Sequence, residues 1–97
     1  MMIEHLYEVT ERAPLNFVGF MTEDRRYDFA IVHTGNFYGK PLVICMQSGR
    51  SAALGREDLG RAEQLMRIYN LEERSEAEHL ADVLAMHLPE HCCQDEL

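Results

Sequence analysis

Residues 15–54 alternate short apolar segments with turn-forming residues, and few folds accommodate that pattern. LNFVGFM (15–21) alternates in the strand period, with Leu15, Phe17 and Met21 on one face and Val18 and Phe20 on the other. Gly19 inside it suggests a bulge or a close approach of another group. YDFAIVHT (27–34), LVICMQ (42–47) and SAAL (51–54) read as three further strands. TEDRR, TGNFYGKP and QSGRS connect them, the last with a hairpin signal centred on Gly49. IEHLYEV (3–9) has a weaker strand pattern, and Pro14 separates it from the rest.

From residue 57 the period changes to that of helices. EDLGRAEQLMRIY (57–69) sets Leu65, Met66 and Tyr69 on one side, and Gly60 weakens its first turn. A second helix spans about 72–88, with Ala77, Leu80, Ala81, Leu84 and Leu88 as its stripe and Pro89 as its stop. Ser75 and Glu78 have capping-box spacing. The expected fold is α+β: an antiparallel four- to five-stranded meander followed by two C-terminal α-helices packed on one face. One domain covers 1–88, and 89–97 forms a C-terminal tail.

Strands 27–34 and 42–47 are apolar on both faces, whereas two short helices cover only one. The second face therefore needs the N-terminal segment or a second copy of the chain, and a homodimer is the expectation.

Charge and cysteines narrow the function. The formal net charge is −8. Residues 1–55 hold five Lys/Arg and six Asp/Glu, a net of −1, and residues 56–97 hold four and eleven, a net of −7. That balance opposes nucleic-acid binding. No apolar run approaches the roughly 20 residues of a membrane span, and the N-terminus lacks a signal-peptide pattern. Three cysteines, one of them (Cys45) within an apolar run, fit a reducing cytoplasm.

The meander geometry nominates two sites. Alternate turns share one end of the sheet, so Arg25, Arg26 and Arg50 gather there and could hold a phosphate or carboxylate. Solvated turn charges balanced by neighbouring acids are the plainer account. At the other end Phe37, Tyr38 and Lys40 could form a partner-binding loop, or the aromatics could fold back on the sheet edge. His33 could meet Asp28 or Lys40, and a satisfied edge histidine is the simpler reading. His87, His91, Cys92 and Cys93 have poor spacing for zinc, so no metal or other cofactor is assigned. No nucleophile–base motif or Gly-rich phosphate loop is present, and no catalytic residue is named.

FVGF, the R-x-D-x-A-I stretch at 26–31, FYGK-x-LV, and SGRSA-x-LG with DL shortly after resemble the domain-of-unknown-function family 3055, small proteins of low-GC Gram-positive bacteria. The likeness spans about residues 7–88 and implies a cytosolic bacterial protein without an established activity. The expectation is a non-enzymatic protein-interaction or regulatory module, homodimeric and with a further protein partner. A small-molecule or anion-binding domain is the alternative, and an enzyme of unrecognised type the second.

Overall fold

The structure is a computed structural model that describes residues 2–88. Its order is β1 (Leu15–Met21), β2 (Arg26–Val32), β3 (Leu42–Cys45), β4 (Ser51–Ala53), α1 (Ala62–Tyr69) and α2 (Arg74–Ala85). The strands form one four-stranded antiparallel sheet in the order β1-β2-β3-β4, so the expected meander and its two following helices are what the chain forms. Residues 3–9, a candidate fifth strand, have no ladder partner among the described residues and are exposed. Their alternation is incomplete, and no sheet edge of the same chain pairs with them.

Register decides which side chains meet the helices. Val18 pairs with Phe29 and Phe20 with Tyr27, while Ile31 pairs with Val43 and Phe29 with Cys45. These residues share one face and pack against Leu65, Tyr69, Leu80 and Leu84 in a single core. Phe20, Tyr27, Phe29 and Tyr69 form an aromatic chain within it; the Phe29 and Tyr69 rings meet edge-to-face at 5.3 Å. Cys45 is buried, as an apolar strand position implies.

The register runs through Gly19 without a bulge. A Cβ there would lie 2.6 Å from Asp28 Oδ1, so the glycine makes room for the carboxylate.

Both helices begin later than the sequence pattern indicates. Residues 56–58 make only a short 3-10 turn, and α1 starts at Ala62, beyond Gly60. Helix α2 starts at Arg74, and Ser75 is not its cap. Glu73 is the N-cap, and Glu76 at the third helical position closes the capping box, accepting from the backbone N–H groups of Glu72 and Glu73. Asn70 closes α1 in the left-handed region at φ 55, a conformation that its short polar side chain tolerates. Pro89 and the tail, with His91, Cys92 and Cys93, lie outside the described residues.

Candidate functional site

The helix-free face carries Leu15, Phe17, Gly19 and Met21 of β1, and the alternate residues Arg26, Asp28, Ala30 and Val32 of β2. β3 and β4 continue it in register: Leu15, Val32, Leu42 and Ala53 form one cross-strand row, and Phe17, Ala30, Ile44 and Ser51 the next. Phe17 is 68% exposed and Met21 75%. Arg26 and Asp28, the two charged strand residues of this face, pair with each other at 3.1 Å. Gln47 also donates to Asp28, at 2.7 Å. These bonds hold the Asp28 carboxyl below its usual range, the Gln47 contribution being the larger.

A groove of about 330 Å³ lies at the end of this face, between Ala13, Leu15, Val32, Phe37 and Leu42. Its polar lining groups, Glu11 and Thr34, are engaged with each other at 2.9 Å. The groove therefore offers apolar contact and lacks the convergent free polar groups of a small-molecule pocket.

Phe37 leads from the groove into a strained turn. Phe37, Tyr38 and Gly39 have φ values of 57, 60 and 80° in succession. Left-handed backbone costs a non-glycine residue roughly 1–2 kcal/mol, so two aromatics in a row persist only if the surroundings hold them. Glu11 anchors the entry through Thr34 Oγ1, the Gly35 N–H and Asn36 Nδ2. Lys40 anchors the exit, with Nζ 3.2 Å from Glu57 and 3.3 Å from Asp58. These carboxylates, Glu57 first, raise the Lys40 pKa. Lys40 is thus tied to the segment before α1, and Tyr38 stands 90% exposed at the apex.

The three arginines near the opposite end are held by different partners. Arg25 Nε lies 2.9 Å from Glu76, and its other nitrogens reach Glu72 and Glu73. Arg26, one residue on, takes the other face and meets Asp28. Arg50 donates to the carbonyls of Arg67 and Ile68 in the last turn of α1, where helical carbonyls lack intrahelical partners. His33 bonds to Asn16 at 2.8 Å, and neither Asp28 nor Lys40 is its partner.

Glu76 escaped the sequence reading. It is 2% exposed and accepts from Arg25, from Tyr27 Oη at 3.1 Å and from two backbone amides. Burial pushes its pKa up, but the hydrogen bonds from Arg25, the Glu73 amide and Tyr27 outweigh this and hold it below the ordinary value. The available signal was a glutamate at the third position of a helix, where a carboxylate can turn back onto the free amides.

No curated protein matches the chain. A family model described as SAV0927-like matches residues 6–86, which take in the sheet, the strained turn and both helices. The chain belongs to the SAV0927-like family, a small uncharacterised family.

Proposed function

We propose that the chain is a non-enzymatic, cytoplasmic interaction module that works as a homodimer. It binds through the helix-free sheet face and the Phe37–Gly39 turn that continues it. The observation that carries this reading is the unbroken apolar surface from Phe17 and Leu15 through Val32 and Leu42 to Phe37. Extended apolar patches on soluble domains mark contact sites. The strained turn supports it, since two left-handed aromatics form a costly way to place Tyr38 in solvent. Anion binding by Arg25, Arg26 and Arg50 is the weaker reading, because an anion would compete with carboxylates that already hold two of them.

Sedimentation equilibrium at micromolar concentration is the test. The wild-type chain is expected to be a dimer. Phe17→Asp, at an exposed position of the edge strand, is expected to give a monomer with an unchanged circular dichroism spectrum. A monomeric wild type would overturn the homodimer.

A further inference from the structure

We propose that the segment before β1 is an exchanged arm: in the dimer, residues 3–9 of one copy fill the end groove of the other. This rests on the homodimer reading and adds to it which segment crosses. Ile3, Leu6, Tyr7 and Val9 are 58–85% exposed, a dense set of solvated apolar side chains for so short a stretch. Among the described residues, the arm is tied down only at its base, where Glu11 bonds to residues 34–36 and Pro14 O accepts from the His33 amide. Glu11 and Ala13 belong to the groove wall, so the arm departs directly from the rim of the site that it fills in the other copy.

Area, reach and charge favour a second copy as the occupant. Four strands of at most seven residues give the helix-free face roughly 400 Å², about half of the ~800 Å² that each partner contributes to a standard interface. Two exchanged arms supply apolar surface towards the difference. From residue 11 to residue 3, an extended chain spans roughly 27 Å, enough to leave one copy and reach a facing one. In the strand period Ile3, Tyr7 and Val9 point the same way, so one side of the arm can enter a groove. Because the groove lies at the end of the sheet, the arm's backbone keeps access to water and its N–H and C=O groups are not stranded. The arm carries Glu4 and Glu8, and residues 56–97 hold a net of −7, four Lys/Arg against eleven Asp/Glu. Docking on the helices is therefore opposed. The charged strand residues of the helix-free face cancel within that face, so two copies can meet there without that repulsion.

Photocrosslinking of the full chain tests the exchange. p-Benzoylphenylalanine replaces Tyr7, and the variant is mixed with isotopically labelled wild-type chain before irradiation. The expected result is a covalent dimer whose mixed-isotope crosslinks join position 7 to residues 30–44. Crosslinks confined to one chain would place the arm on its own sheet and overturn the exchange, as would a dimer without crosslinks to that stretch. In parallel, Leu6→Asp with Tyr7→Asp is expected to weaken dimerisation roughly tenfold or more while the fold is retained. A dimer indifferent to that change overturns the arm alone; a monomeric wild type overturns the dimer with it.

Discussion

Glu76 illustrates how one residue can tie together distant parts of a small domain. Its carboxylate joins the first turn of α2 to Arg25 and Tyr27 at the start of β2, across some fifty positions of sequence. A charge so buried persists because each lobe of the carboxylate finds donors. Removing it leaves Arg25 Nε, Tyr27 Oη and two amides without their acceptor. Glu76→Ala is expected to cost about 3 kcal/mol, read as a lower urea midpoint. The pH dependence follows from the direction of the shift. The folded-state pKa lies below the unfolded value of about 4.3, so the stabilisation is full above that value and is lost as pH falls through the folded one. The stability gap between wild type and Glu76→Gln should therefore narrow on acidification below about pH 4. The hydrophobic stripe of α2 was readable at this scale, because Leu80 and Leu84 obey a period. Glu76 lies one turn before Leu80 on that same buried stripe, but a glutamate there reads as solvated; its role depends on residues some fifty positions upstream.

Among the elements, the Phe37–Gly39 turn is the one held against its own preference. Glycine adopts φ near +60° without penalty, so Tyr38→Gly should stabilise the domain by about 1 kcal/mol and raise the thermal midpoint by roughly 4–8 °C. The same change should weaken any binding that uses the ring. A variant more stable yet poorer in binding would identify the turn as functional; lower stability would show that the ring supports the fold. The strands were legible because β1 alternates, β2 and β3 are short apolar runs, and two of the three connections carry glycine. The handedness of this turn was not legible, since Phe and Tyr rank among the residues least suited to it. The start of α1 was also obscured: Leu59 and Ala62 suggest one helix, whereas Gly60 interrupts it and leaves a 3-10 turn on the far side.

Across the whole molecule, charge and apolar surface are separated. The helical half is acidic, while the helix-free face is apolar and its charges cancel. Two copies joined through that face place their acidic halves outwards. Their mutual repulsion is screened by salt, so dimerisation should tighten modestly as ionic strength rises from about 0.01 to 0.15 M. An interface built on ion pairs would weaken instead, and sedimentation across a salt series separates the two. The apolar character of the second face was visible in the sequence, in the doubly apolar β2 and β3. The groove was not, because it joins Ala13, Leu15, Val32, Phe37 and Leu42 from four separate segments.

The aromatic inventory also shapes how this protein can be observed. There is no tryptophan, and the four tyrosines divide evenly between interior and surface: Tyr27 and Tyr69 are buried, Tyr7 and Tyr38 exposed. Burial, foremost, pushes the phenol of Tyr69 well above its usual pKa, and its hydroxyl donates to the Val43 carbonyl at 2.8 Å. The chain thus contains its own optical probes, two phenols for the core, one for the arm and one for the turn. Replacing any three by phenylalanine would isolate the ultraviolet signal of the fourth without attaching a dye.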